Sequence, residues 1–194
     1  MKTKFLHIAT ALLFVGFTSS CSDFLDRYPL DELSDSSFWK TENDAMMAVT
    51  DIYGCLPTWD QDEDINSDNA VHGIKWAAGN ISKGVYDPMD QSWAGSYTPI
   101  RQCNLVLEKV KDIEMSDESR KKIEGQAYFF RAFVYFNLIR SFGDVPYIDK
   151  PLNLTDVEDI TRTPREEVYA KVMADFDKAI EYLPEEWDAA NTPR

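Results

Sequence analysis

Apolar residues recur at helical spacing in four separate stretches of the chain, and each stretch predicts an amphipathic helix. The first runs from about Glu42 to Cys55. Thr41 and Asp44 form a capping pair at its start, and Pro57 closes it. Its apolar stripe consists of Ala45, Val49, Ile52 and Leu56.

The second helix is predicted over roughly Tyr97 to Lys111, with Pro99 close to its start. Either Thr98 caps the helix and Pro99 takes its first position, or a turn precedes a kink. Asn104 lies among apolar residues of this helix. We expect its side chain to satisfy a neighbouring backbone group rather than a ligand.

The third helix starts near Asp117 and is the most apolar part of the chain after the N-terminus. Six of the nine residues from Tyr128 to Phe136 are Phe or Tyr, and they fall on three faces of a helix. A helix that is apolar nearly all round must be covered on nearly all sides. We therefore expect a central helix with Phe130 and Phe133 in the core, ended by Gly143.

The fourth helix is predicted over residues 164–183, with Thr163 as its cap, Pro164 at its first position and Glu166 completing a capping box. Its apolar stripe consists of Val168, Val172, Phe176, Ala179, Ile180 and Leu183. The third and fourth helices resemble a tetratricopeptide-like pair. Such a pair cannot bury its own faces and needs further units. The predicted fold class is all-α, helical pairs with long irregular loops.

Residues 57–92 show no helical period, which indicates a long irregular segment that is either functional or mobile. Its acidic run Asp60 to Asp64 is not a calcium loop, because Ile65 and Val71 stand where Gly and Glu are required. We interpret it as a solvated acidic turn.

The first 20 residues have the pattern of a secretory signal: Lys2 and Lys4, a short apolar run from Phe5 to Phe17, and small residues before Cys21. A cysteine in that place predicts a lipoprotein in which Cys21 is acylated. The alternative is a plain secreted protein cut nearby. Removing residues 1–20 would change the net charge from −14 to −16, which opposes binding to nucleic acid.

Catalytic and cofactor motifs are absent from the sequence: it has no G-x-S-x-G, P-loop, dinucleotide fingerprint or H-E-x-x-H. With His72 as the sole histidine after the leader, no multi-histidine metal site can form. We therefore expect no enzyme activity, no cofactor and no metal. Cys55 and Cys103 could pair in an oxidising envelope, but buried free thiols are the favoured interpretation.

Several segments together carry a family resemblance. The pattern R-A-x-x-Y-F-x-L-x-R-x-F-G-D-V-P, from Arg131 to Pro146, resembles the hallmark of the SusD/RagB family of lipid-anchored outer-membrane nutrient-binding proteins in Bacteroidetes. The opening F-L-D after Cys21 and the spacing of Trp93, Tyr97, Ile100 and Asn104 are also similar to that family. The resemblance covers residues 21–194, and the family's next helix would follow Arg194.

The resemblance implies three parts: a signal peptide at 1–20, a lipidated tether and extended arm at 21–40, and the truncated N-terminal part of a SusD-like helical domain at 41–194. It implies a surface-exposed, lipid-anchored outer-membrane protein that binds an oligosaccharide or another oligomeric nutrient. The expected partner is a SusC-like TonB-dependent transporter. The alternative is a lipid-anchored helical-repeat scaffold or assembly protein without a small ligand.

Within the chain, the expected ligand-binding residues are Trp76, Asn80 and Tyr86 in the irregular segment. Aromatic faces stack on the apolar C–H faces of sugars, and amides take the hydroxyls. Loops held on a rigid scaffold are where binding residues concentrate. The competing interpretation is that Trp76 packs the loop onto the helices.

Overall fold

The computed structural model describes residues 38–56, 84, 93–157 and 159–187. Four helices in these ranges follow the four predicted stretches: α1 (Glu42–Ile52), α2 (Trp93–Lys109), α3 (Asp117–Phe142) and α4 (Arg165–Tyr182). Short 3-10 turns occupy Tyr53–Cys55, Val110–Asp112 and Leu154–Asp156. No strand occurs in the described ranges, where the β-pairing is a single bridge between Val145 and Thr163. The all-α class is confirmed.

Helix α1 begins as its sequence predicts. The Thr41 side chain accepts from the Asp44 backbone N–H, and the Asp44 carboxylate accepts from the Thr41 N–H at 2.8 Å. These two bonds satisfy backbone donors that a helix start leaves without partners. The bonds also lower the pKa of Asp44, with the Thr41 side chain as the largest cause, so the cap stays ionised.

Helix α3 is the central element, because both core clusters form against it. Its N-terminal half packs with α1 and the C-terminal half of α2, where Phe130 is 2% exposed and Tyr53 contacts it edge-on at 4.6 Å. Its C-terminal half packs with the start of α2 and with α4, where Tyr135 is fully buried. The predicted central role of this helix is confirmed.

The third aromatic face of α3 is only partly covered by the other described helices, where Phe129 contacts the Phe176 ring of α4 at 5.9 Å. Phe129 and Phe136 are 37% and 42% exposed, and Phe133 between them is half-buried. The Phe129 and Phe133 rings are nearly parallel, at 14° and 6.4 Å between centroids. The prediction that Phe133 lies in the core holds only in part, because its ring packs against the cluster around Tyr135 but is half-buried.

The start of α2 contradicts the first predicted alternative, in which Thr98 caps the helix. The helix begins at Trp93, so Pro99 lies inside it rather than at its first position. Proline has no backbone N–H, so the carbonyl of Gly95 loses its helical partner. The early start is favoured by Trp93, whose ring meets Phe142 edge-on at 4.8 Å and lies under the Arg162 guanidinium at 5.3 Å.

The start of α4 is capped from outside the helix. Pro164 holds the cap position without a side-chain bond, and Thr163 instead exchanges backbone hydrogen bonds with Val145. The Arg165 N–H donates to the Asp144 carboxylate at 2.9 Å. The predicted Thr163 cap is therefore wrong. The Asp144 carboxylate, from the other end of the linker between α3 and α4, stabilises the start of α4, since negative charge is favoured at a helix N-terminus.

The inward stripe of α4 also differs from the prediction. Val168, Val172, Asp175 and Ala179 are buried, whereas Ile180 is 78% exposed. The sequence prediction assumed that only apolar residues face inward, and it therefore placed Ile180 on the inward stripe. Asp175 takes the inward position because it has a buried partner, and Ile180 then lies about 100° away from Ala179 around the helix.

Gly143 gives the sharp exit from α3 that its position predicts. Its φ is +71°, a conformation that residues with a side chain rarely adopt. The turn brings Asp144 to the start of α4 and Pro146 to α2, where the Tyr97 hydroxyl donates to the Pro146 carbonyl at 3.1 Å. Burial raises the pKa of Tyr97 to about 12, so the hydroxyl remains a donor.

Candidate functional site

The residues predicted to bind lipid and ligand lie outside the described ranges. These are Cys21, Trp76, Asn80 and Tyr86. The segment that holds the last three leaves α1 after Leu56 and returns at Trp93, the first residue of α2. The ends of α1 and α2 that flank it are described, and they border an open groove.

A groove of about 890 Å³ lies between the end of α1, the start of α2 and the C-terminal half of α3. Helix α1 and its 3-10 turn contribute Asp51, Gly54 and Cys55. The other two helices contribute Gly95, Ser96, Thr98, Pro99 and Gln102 from α2, and Phe133, Val134, Phe136, Asn137 and Arg140 from α3. The volume is within the range of ligand pockets in proteins.

The polar groups of the groove are placed by contacts between helices. The Gln102 amide donates to the Asp51 carboxylate at 2.6 Å, which joins α2 to α1. The Asn137 amide donates to the Phe133 carbonyl one turn earlier, at 3.1 Å, so its oxygen remains an acceptor. Arg140 is exposed and forms no ion pair within the described part of the chain.

The groove also has an apolar side. Phe136 presents a partly exposed ring, and Phe133 lies one turn before it on α3. Gly54 and Gly95 have no side chains to fill the space opposite; a Cβ atom added at Gly54 would meet nothing within 4 Å. Exposed aromatic faces beside amide, carboxylate and guanidinium groups suit a ligand with both apolar and hydroxyl surfaces.

The two described cysteines are free thiols, as the favoured interpretation predicted. Cys103 is buried in the cluster between α1, α2 and α3, and Cys55 is half-buried at the groove. Burial raises the pKa of both thiols. Neither is therefore a ready nucleophile or metal ligand, since both roles require the thiolate.

A buried polar network holds together the helices behind the groove. The Arg131 guanidinium donates to both carboxylate oxygens of Asp175 at 2.7 Å and to the Asn104 side-chain oxygen at 2.8 Å. The Asn104 amide then donates to the Ile148 carbonyl at 2.9 Å. The prediction for Asn104 is confirmed: its side chain bonds backbone, and its oxygen also bonds Arg131.

Desolvation alone would lower the pKa of Arg131, but the hydrogen bonds and the charge of Asp175 outweigh it and raise the pKa. The network is therefore an ion pair closed off from solvent. Among the described side chains, no cluster of His, Cys, Asp or Glu is arranged to hold a metal ion.

The groove was not found from the sequence. Asp51, Gln102 and Asn137 are ordinary exposed or half-exposed positions on three different helices, and no spacing relates them. The one available signal was the third aromatic face of α3. It predicted a helix covered on nearly all sides, and it did not identify Phe136 as a ring that stays partly exposed.

Comparison with known families gives a match over most of the chain. The SusD-like family model described as "Starch-binding associating with outer membrane" matches residues 23–194. The chain is 30% identical over 199 residues to SusD-like protein P2 of Formosa agariphila, covering 95% of this chain and 38% of that protein. It is 26% identical to a SusD-like protein of Bacteroides ovatus, covering 97% of this chain and 36% of that one.

Solved structures show the same fold. A SusD-like protein from Bacteroides fragilis superposes with a TM-score of 0.71 at 28% identity, covering 85% of this chain and 34% of that one. A laminarin-binding SusD-like protein superposes with a TM-score of 0.67 at 25% identity, covering 78% and 36%. The chain thus spans just over a third of these relatives.

No described helix is both long and apolar enough to cross a membrane. Because the family model covers nearly the whole chain, the protein belongs to the SusD-like family.

Proposed function

We propose that the protein is a lipid-anchored, surface-exposed outer-membrane protein that binds oligosaccharide. The observation that carries this is the family match over residues 23–194, whose description is starch binding in association with the outer membrane. The similarity of its fold to a laminarin-binding protein supports a glycan ligand. The role of the protein is capture rather than catalysis.

The proposal includes a partner and an anchor. The captured glycan passes to a SusC-like TonB-dependent transporter in the same membrane. Acylation of Cys21 after removal of residues 1–20 holds the protein there. Several acyl chains together give lasting attachment, since each buried CH₂ contributes about 0.8 kcal/mol. Residues 21–40 then form the tether, and residues 41–194 the helical part.

Within the chain, we propose that Trp76, Asn80 and Tyr86 take part in glycan binding. They lie in a segment that joins two packed helices, α1 and α2, so its ends are held by the scaffold. An indole face suits sugar stacking, and an amide suits hydroxyls. The competing role for Trp76 is packing of the segment against the helices.

Binding of laminarin and starch oligosaccharides to the purified chain, and to Trp76→Ala, tests the ligand proposal. Weaker glycan binding with an unchanged melting temperature supports a contact between Trp76 and sugar. Unchanged binding, or a collapse in melting temperature, assigns Trp76 to packing. Affinity purification of the lipidated protein from its native membrane tests the partner, and the absence of any TonB-dependent transporter would count against it.

One observation favours the alternative role as a scaffold. Phe129 and Phe136 present phenyl rings without a polar group, and such rings are often buried against another polypeptide. A scaffold would retain its partner protein and show no response to oligosaccharides. The binding measurement above therefore discriminates between the two functions.

A further inference from the structure

We propose that the groove between α1, α2 and α3 is itself a saccharide-binding surface, with the Phe136 ring as its stacking platform. The inference rests on the proposed function, in that it takes glycan as the ligand class. The proposed contacts lie on the described helices and not in the segment that carries Trp76.

The groove offers both kinds of contact that a sugar makes, apolar stacking and hydrogen bonding. Phe136 is 42% exposed and offers a ring face to the apolar C–H surface of a pyranose. The Asn137 oxygen, the Asp51 carboxylate and the exposed Arg140 supply acceptors and donors for hydroxyl groups. The Asp51 carboxylate and the Arg140 guanidinium add charged groups to the lining of this groove. Such groups suit hydroxyls better than the apolar side chains by which a helical peptide is anchored.

The backbone adds a further acceptor. Pro99 inside α2 frees the Gly95 carbonyl from its helical bond, and Gly95 lines the same groove. A proline inside a helix normally costs stability. Here the lost bond leaves the Gly95 carbonyl as an acceptor to which a hydroxyl-rich ligand can donate.

Two variants probe the groove in different ways. Phe136→Ala removes the platform, and because the ring is partly exposed the helix packing behind it stays in place. Gly54→Leu instead fills the groove: a Cβ there meets nothing within 4 Å, and Gly54 is not among the positive-φ glycines. Phe129→Ala is the matched control, because Phe129 lies on the same helix at 37% exposure and does not line the groove.

The experiment is an NMR titration of the full chain with a laminarin oligosaccharide and, separately, a maltooligosaccharide at millimolar concentrations. We expect shifts at the side-chain amides of Asn137 and Gln102. Phe136→Ala and Gly54→Leu should weaken binding roughly two- to tenfold, the value of one aromatic contact, while Phe129→Ala leaves it unchanged.

Each other outcome overturns the groove site. Binding that persists in both groove variants, and is lost in Trp76→Ala, leaves the proposed function standing and rejects the groove. If Phe129→Ala weakens glycan binding as much as Phe136→Ala does, the loss reflects exposed aromatic rings in general and not the groove. No response to either oligosaccharide, with shifts at Asn137 on adding an apolar peptide, assigns the groove to a polypeptide.

Discussion

The Arg131 guanidinium of α3 and the Asp175 carboxylate of α4 form a two-pronged ion pair, with both N–O distances at 2.7 Å and both side chains less than one-tenth exposed. Parallel bonds of this kind fix geometry as well as charge. The pair sets which face of α4 turns inward, and it explains why an acidic residue interrupts an apolar stripe.

Removing the carboxylate should therefore be costly. Asp175→Ala leaves Arg131 buried without its counter-charge, and we expect unfolding free energy to fall by about 3–5 kcal/mol. Urea denaturation measures this. Asp177→Ala is the control, since Asp177 is exposed two residues away on the same helix and should change stability by no more than about 0.5 kcal/mol. Equal effects of the two substitutions would show that the ion pair does not hold α4.

Two phenylalanines adjacent in α3 should differ sharply in their effect on stability. Phe130 is buried and Phe129 is partly exposed. Phe130→Ala should cost about 3–5 kcal/mol, because it leaves a cavity between α1, α2 and α3. Phe129→Ala should cost much less, since its ring has water on one side. Thermal melts of both variants check this, and similar melting temperatures would contradict the core assignment.

Gly125 lies where α3 closely approaches the end of α4. A Cβ atom there would lie 2.9 Å from Leu183 Cγ and 3.1 Å from Tyr182 Cβ. Alanine normally stabilises a helix interior by about 1 kcal/mol over glycine. We expect Gly125→Ala to lower the melting temperature nonetheless, because α4 must shift. Gly54→Ala, which adds a Cβ in open space, should not lower it. A rise for Gly125→Ala would show that the α3–α4 contact is loose.

The predicted lipid anchor has a direct test. Cys21→Ala should release the protein from the membrane fraction or leave its leader uncleaved. Cys55→Ala serves as the cysteine control, since Cys55 is a half-buried thiol in the helical part. Membrane fractionation with fatty-acid labelling gives the readout. If labelling and fractionation of Cys21→Ala match those of the original chain, Cys21 is not the anchor.

The partly exposed aromatic face of α3 predicts self-association of the chain. Phe129 and Phe136 are exposed, and Met173 and Ile180 of α4 are also exposed. Exposed apolar patches of this kind promote association. Sedimentation velocity should show species larger than a monomer, and Phe129→Ser with Phe136→Ser should reduce them. A monodisperse, cooperatively melting monomer of the unsubstituted chain would be the contrary result.

The sequence by itself determined the helices and their number in the described ranges. Caps and stops are local, so Thr41, Asp44 and Gly143 act where their neighbours in the chain predict. The burial of Phe130 was also predicted correctly, because a helix that is apolar on three faces must bury most of its rings whichever helices it packs against.

Tertiary structure decided which partners these helices meet. Asp144 caps α4 from across the linker, and Asp175 turns inward because Arg131 of another helix pairs with it. Helical periodicity treats an acidic residue as an outward one, so it placed Ile180 inside instead. The groove arises in the same way: Asp51, Gln102 and Phe136 come from three helices, and only their packing brings them to one surface.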